Sequence, residues 1–190
     1  MRHGKIIAIG GASGVSKSST ARFLSNKFGF VHTLGSGFIR EIVRASHDRK
    51  ECPELFKYSF DASDDEPWGT LERQSIWMAS AMRAVTTRAY EEGTDLIIEG
   101  VNVIPGILDW EGIALRILLV VRDEAEHFKM INGETHRLRF IDRQQFEVVR
   151  KIQDELTERA HHFGWQVLDP TTEGTRLREL VQIAMLEREN

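Results

Sequence analysis

The stretch IIAIGGASGVSKSSTARFL, from Ile6 to Leu24, decides how this chain is read. It opens on a short β-branched apolar run and passes through a turn rich in glycine and serine. It leaves as an amphipathic helical pattern that stops at Gly29. The turn has the spacing Gly-x4-Gly-Lys-Ser/Thr of a phosphate-binding loop. Gly11, Lys17 and Ser18 satisfy that spacing, while Ser16 stands where the second glycine belongs. A strand-to-helix turn of this kind aims backbone N–H groups and a helix N-terminus at phosphate oxygens. Gly11, Ala12, Ser13, Gly14, Val15, Ser16, Lys17, Ser18 and Ser19 are therefore the expected ATP-binding residues. In this reading Lys17 reaches the β- and γ-phosphates, the Ser18 hydroxyl is a ligand of Mg2+, and Ser19 reaches the α-phosphate. The effect of Ser16 depends on its backbone. At negative φ the change is mild; at positive φ it strains the loop by about 1–3 kcal/mol.

Outward from this turn the chain alternates strands and helices. Short apolar runs recur at Phe30–Leu34, Asp95–Gly100, Ala114–Val121 and Trp165–Asp169, giving five expected strands with Lys5–Gly10. Near-continuous apolar strands of this length belong to a sheet buried on both faces. The intervening segments carry helical periodicity, with Ile76, Met78, Ala79, Met82, Val85 and Ala89 on one stripe and Phe146, Val149, Ile152, Leu156 and Ala160 on another. The expected fold is α/β in three layers: a five-stranded parallel sheet built from right-handed βαβ units, forming one domain over residues 1–190. The segment Arg44–Trp68 reads as a short helix and loops. Its acidic residues Asp61, Asp64, Asp65 and Glu66 either hold a cation or open a helix at Pro67.

Composition narrows the functional classes. The chain has 190 residues, 41% of them hydrophobic and 28% charged, with a net charge of −4. With a pI near 6.0 there is no basic excess to hold nucleic acid, so no nucleic-acid partner is expected. The single cysteine, Cys52, rules out an internal disulfide and a cysteine-built metal site, which fits a reducing compartment. The first residues run straight into a strand with no room for a signal peptide, and no run approaches the ~18 apolar residues of a membrane span. A cytoplasmic protein without membrane contact is expected.

Four stretches together resemble one family, the P-loop 2-phosphoglycerate kinases within the nucleoside-kinase-like group. IGGASGVSKSSTARFL is similar to that family's ATP loop. LGSGFIREIVR, Leu34–Arg44, is similar to its segment after the second strand, and LIIEGVNVIPGIL, Leu96–Leu108, to its Glu-Gly-Val-His-x-x-Pro-Gly loop. VVRDEAEHF, HRLRF and FEVVRKIQDELTERAHHFGWQVLD resemble its fourth strand, arginine-bearing lid and following helix. The resemblance implies a P-loop kinase fold with a short lid at about residues 133–143. It also implies ATP-dependent phosphorylation of a small anionic hydroxyl compound, with 2-phosphoglycerate as the named acceptor. Three positions depart from the family pattern: Ser16, Gly37 where an aspartate is expected, and Asn102 where a histidine is expected.

Phosphoryl transfer passes through a loose transition state, so the working groups are those that position and neutralise charge. Lys17, Glu99 and the lid arginines Arg137, Arg139 and Arg143 are the candidate catalytic residues; Ser18 and Glu99 are the candidate metal ligands. Glu99 holds Mg2+ through water, acts as the base, or is a strand-end carboxylate bound to backbone. The lid arginines, beside His136, either close over the γ-phosphate or form a solvated basic face. Gly37, Arg40, Glu41 and Asn102 are the candidate acceptor-binding residues. Arg40 suits a bidentate clamp on an anion. Glu41 either replaces the absent aspartate or pairs with Arg40 or Arg44. His127 is a catalytic candidate or a packing residue, and His161 and His162 suit a helix C-terminus. The segment after the fifth strand, from Asp169, borders the adenine in folds of this kind. A kinase for nucleosides, sugars or natural products, and a nucleotide-binding regulator with little turnover, are the other readings. The stripe from Ile76 to Ala89 serves either the core or a homodimer interface.

Overall fold

A computed structural model describes residues 2–61, 63–133 and 140–186. The central strand β1 (Ile6–Gly10) is buried at every position, as its unbroken apolar run requires. Helix α1 (Lys17–Phe28) follows and ends at Gly29, whose φ of 72° makes the left-handed C-terminal stop. Next come β2 (His32–Gly35), α2 (Ser36–Ala45), a 3-10 turn at Pro53–Phe56 and the long helix α3 (Pro67–Glu91). The remainder is β3 (Leu96–Glu99), β4 (Ile113–Leu119), α4 (Glu124–Ile131), α5 (Arg143–His162), β5 (Gln166–Leu168) and α6 (Gly174–Leu186).

The five expected strands form one sheet in the order β2-β3-β1-β4-β5, and every pairing is parallel. Successive side chains of a strand point to opposite faces, so β1 divides its residues between two cores. Ile6 and Ala8 pack with Met78 and Met82 of α3 and Phe146, Val149 and Ile152 of α5. Ile7 and Ile9 pack on the other face with Ala21 and Leu24 of α1 and Leu177 and Val181 of α6. These are the three expected layers.

Register sets the position of the functional edge. Glu99 of β3 pairs with Ile9 of β1 on one side and Gly35 of β2 on the other. One rung of the sheet therefore places a carboxylate between the strand that feeds the phosphate loop and the strand that feeds α2. This is the carboxyl edge, where α/β sheets hold their ligands.

One detail of α3 agrees with the sequence reading and one differs. The helix starts at Pro67, with Glu66 at its N-cap, so the acidic cluster opens a helix, the second of its two readings. Asp64 of that cluster pairs with Lys57 at 3.2 Å. Ile76 leaves the expected stripe and is 58% exposed, whereas Gln74 and Ser75 are buried. The rest of the stripe holds, with Met78, Met82 and Ala89 buried; hydrophobicity misplaced only Ile76, because the buried side of α3 also carries a polar network. No helix among the described residues is long and apolar enough to cross a membrane.

Candidate active site

The phosphate loop leaves β1 and turns into α1 through backbone conformations that most side chains avoid. Gly14 has φ 83°, and a Cβ there would lie 2.5 Å from Cβ of Ile131 at the end of α4. Only glycine allows this conformation and this close packing together. Ser16 has φ 63° and ψ 23°, the only positive φ on a non-glycine residue among those described. The missing glycine therefore falls where it is most costly: a left-handed L-residue is strained by about 1–2 kcal/mol. Ser16 is the N-cap of α1, and its carbonyl accepts the first intrahelical bond from Thr20 N at 2.9 Å, but its side chain makes no cap bond.

Lys17 is half-buried, and its Nζ donates to the Ala12 carbonyl at 2.6 Å. Burial lowers its pKa to about 8, against the opposing pull of the Glu99 carboxylate. The Ser18 hydroxyl donates to Glu99 Oε1 at 2.8 Å. Glu99 itself is only 9% exposed. A hydroxyl, one carboxylate and a lysine thus converge at the N-terminus of α1. Among the described residues no three or more acidic, histidine or cysteine side chains are placed together so as to hold a metal ion by themselves. That donor set suits Mg2+, which is commonly held by one or two protein oxygens, waters and substrate phosphates. Ser18 and Glu99 are the residues that would hold it.

The same cleft, about 600 Å³, brings in the acceptor candidates. Gly37, Arg40, Glu41 and Asn102 line it together with Lys17, Ser18 and Glu99. A Cβ at Gly37 would meet nothing within 4 Å, so the position of the absent aspartate is open space. Arg40 donates to the Lys57 carbonyl at 3.3 Å and to Glu41 Oε1 at 3.2 Å, and lies 5.6 Å from the centre of the Tyr58 ring. Glu41 is also paired with Arg44, so it bridges two arginines, the second of its sequence readings, and it lines the cleft.

Asn102 is buried, and its amide nitrogen donates to Gln74 Oε1 at 2.7 Å and Ser75 Oγ at 3.1 Å. Gln74 in turn donates to the carbonyls of Glu54 at 2.7 Å and Lys57 at 3.2 Å. Lys57 is the residue whose carbonyl receives Arg40. Asn102 is therefore linked to Arg40 through Gln74 and one backbone carbonyl.

Of the segment 133–143 expected as a lid, the structure describes residues 133 and 140–143. Asn132 and Ile141, on either side of it, exchange two hydrogen bonds, of 2.8 and 3.1 Å. Arg137 and Arg139, with His136, lie outside the described residues. Arg143 begins α5; its guanidinium lies 4.1 Å from the centre of the Phe128 ring and 3.9 Å from Glu124. Both partners belong to α4, and Arg143 does not line the cleft.

His127 was visible in the sequence, but its position was not. It is fully buried on α4, with Nε2 2.8 Å from the Ser13 carbonyl and Nδ1 3.3 Å from Arg150 Nη1. Burial lowers its pKa, and the charges of Arg150 and Lys17 add to that effect. His161 and His162 occupy the last turn of α5, as expected of residues that compensate a helix dipole. On the far side of the loop, Pro170 and Thr171 share a second cleft of about 570 Å³ with Ser16, Ser19 and Thr20.

No family model matches the chain. Its sequence is similar to the 2-phosphoglycerate kinase of Methanococcus vannielii, 24% identical over 206 residues that cover 95% of this chain and 63% of that protein. It is similar also to the 2-phosphoglycerate kinase of Thermococcus kodakarensis, 29% identical over 179 residues that cover 86% of this chain and 60% of that protein. The chain thus spans about three-fifths of the length of these curated relatives. In structure it is similar to shikimate kinase from Acinetobacter baumannii, with a TM-score of 0.57, 12% identity and coverage of 98% of this chain and 96% of that one. The chain has the P-loop kinase fold, and over most of its length its sequence is similar to the 2-phosphoglycerate kinases.

Proposed function

We propose that this protein is a small-molecule kinase that moves the γ-phosphoryl group of Mg-ATP to a hydroxyl of a small anionic metabolite. The observation that carries this reading is the meeting of Ser18, Glu99 and Lys17 at the phosphate loop, in one cleft with Arg40. The named candidate for the acceptor is 2-phosphoglycerate, supported by the curated relatives that carry that name.

Each group has a task set by its position. Backbone N–H groups of the loop and the N-terminus of α1 bind the phosphates. Lys17 exchanges the Ala12 carbonyl for a phosphate oxygen and stays with the charge as it moves. Ser18 and Glu99 hold Mg2+, which neutralises charge on the transferred group when bound. Arg40 and Arg44 attract an anionic acceptor to the wall opposite the loop, and the Lys57 carbonyl and Glu41 fix the direction of Arg40. The cleft beside Pro170 and Thr171 lies next to Ser16 and Ser19, where a base attached to those phosphates fits. Arg137 and Arg139 are proposed to complete the charge balance from the lid.

A second reading is a nucleotide-binding protein with little turnover. The strained Ser16 and the open space at Gly37 favour it, since both fall at positions where the resemblance leads one to expect catalytic parts. One experiment separates the two. Purified protein is incubated with Mg-ATP and a panel of phosphorylated and plain hydroxy acids, nucleosides and sugars, and ADP is followed. Acceptor-stimulated ADP that disappears in Lys17→Ala supports the kinase. Measurable ATP binding with no stimulation by any acceptor supports the second reading.

A further inference from the structure

We infer that His127 is a positioning residue for nucleotide binding, acting through the Ser13 carbonyl to set the direction of a phosphate-binding N–H. The inference rests on the proposed nucleotide role of the loop. It begins with the peptide between Ser13 and Gly14, which is trans and planar, so its carbonyl and N–H point opposite ways. A loop that wraps phosphates must turn N–H groups inward and therefore some carbonyls outward. An outward carbonyl buried against protein needs a donor. Nε2 of His127, 2.8 Å from the Ser13 oxygen, is that donor. By holding the carbonyl, the imidazole directs the Gly14 N–H to the opposite side, into the loop.

The hydrogen-bond partners define the state of the ring. A carbonyl only accepts, so Nε2 carries the proton. Arg150 only donates, so Nδ1 accepts from it. His127 is thus the neutral Nε2–H tautomer. Its orientation is fixed from behind: Arg150 Nη1 also donates to the Val121 carbonyl at 2.7 Å, and Gln153 clasps the Val121 peptide with bonds of 3.0 and 3.1 Å. The ring edge packs on Phe146, with centroids 5.2 Å apart. Arg150, Gln153 and Phe146 all belong to α5. The chain of contacts joins phosphate loop, α4, the end of β4 and α5. The neighbouring loop carbonyl, of Ala12, is held differently, by the mobile amine of Lys17. When Lys17 turns to a phosphate, the bond from His127 is the one that keeps the loop in shape.

The test combines a spectrum of the wild-type protein with calorimetry of two variants. In the ¹⁵N spectrum of the imidazole at pH 7.5, Nε2 is expected to be protonated and Nδ1 bare, and both signals are expected to move when Mg-ATP is added. His127→Phe keeps the ring and its packing but loses the bond; Mg-ATP affinity is expected to fall about tenfold, the scale of one well-placed hydrogen bond. His127→Gln, whose amide can donate in place of Nε2, is expected to recover most of that loss, which a purely packing role does not predict. Wild-type affinity in His127→Phe overturns the inference while leaving the nucleotide site in place. No Mg-ATP binding by the wild-type protein overturns both. If His127→Phe does not fold, the wild-type spectrum decides: an Nδ1–H tautomer, an imidazolium, or signals indifferent to Mg-ATP contradict the inference.

Discussion

The Ser18 hydroxyl donates to Glu99 Oε1 at 2.8 Å, joining the first turn of α1 to the end of β3 across 81 residues of sequence. The register of the sheet makes the pair possible, because Glu99 sits on the rung between Ile9 and Gly35. Both oxygens face the place where Mg2+ and the γ-phosphate are proposed to lie. Glu99→Gln keeps an acceptor for Ser18 and removes the charge. Turnover is expected to fall about 100-fold or more, the usual scale for losing one electrostatic contact in a transition state. A Mg2+ titration of rate should shift to higher concentration, and a thermal melt should change little. Unchanged turnover removes Glu99 from the site.

Ser16 gives a sharper test of the loop, since its φ of 63° suits glycine. Ser16→Gly relieves about 1–2 kcal/mol of left-handed strain. It also gives the unfolded chain more freedom, which returns about 0.5–1 kcal/mol. The net expectation is a gain between about 0 and 1.5 kcal/mol in denaturant unfolding. Mg-ATP binding should be tighter or equal, measured by calorimetry. A loss of stability means that the serine side chain contributes a contact that outweighs its strained backbone.

Asn102 lines the cleft, but its amide nitrogen is engaged by Gln74 and Ser75. Asn102→Ala leaves Gln74 Oε1 without its buried partner, at a cost of about 1–3 kcal/mol in unfolding free energy. Gln74 also steadies the Lys57 carbonyl that receives Arg40, so the KM for the acceptor should rise more than the KM for Mg-ATP. Equal changes in the two constants contradict the link from Asn102 to Arg40.

His127 adds an acid-sensitive element to stability. Its folded pKa is lowered, chiefly by burial, so between that value and the ordinary imidazole pKa the unfolded chain binds more protons than the folded one. Stability therefore rises with pH through that window and is lost as pH falls below about 6.5. Besides burial, the groups that bear on the ring are the Ser13 carbonyl, whose hydrogen bond favours protonation, Arg150 of α5 and Lys17 of the loop, which oppose it, and Asp169 beyond β5, which favours it. The lowered carboxylates Asp61, Asp64, Asp169 and Glu173 act in the same direction but at lower pH, below the ordinary carboxylate values. Urea melts at pH 5 and pH 7 should differ less in His127→Phe than in the wild-type protein. An equal difference in the two means the imidazole carries none of it.

The fold was legible because its signals are local. Five short apolar runs separated by helical stripes require a parallel sheet, and Gly29 and Gly93 stop helices where left-handed residues are needed. Lys17, Ser18 and Glu99 were legible too, as a motif and a strand-end carboxylate. What escaped notice was polar and long-range. Gln74 and Ser75 share a helix face with Leu71, Met78 and Met82, but hydrophobicity favoured Ile76, which points to solvent. The contact from His127 to Ser13 spans 114 residues, and only the packing of α4 against the loop reveals it. The conformation of Ser16 was open in the sequence, because a serine in place of glycine does not state its own φ.

The most direct measurement is a ³¹P spectrum of the reaction itself, with Mg-ATP and 2-phosphoglycerate present together. The proposed chemistry predicts loss of the ATP γ-signal matched by a second phosphomonoester signal on the acceptor, absent with Lys17→Ala. Loss of the γ-signal to inorganic phosphate alone, or no loss with any hydroxyl acceptor of the panel, contradicts it.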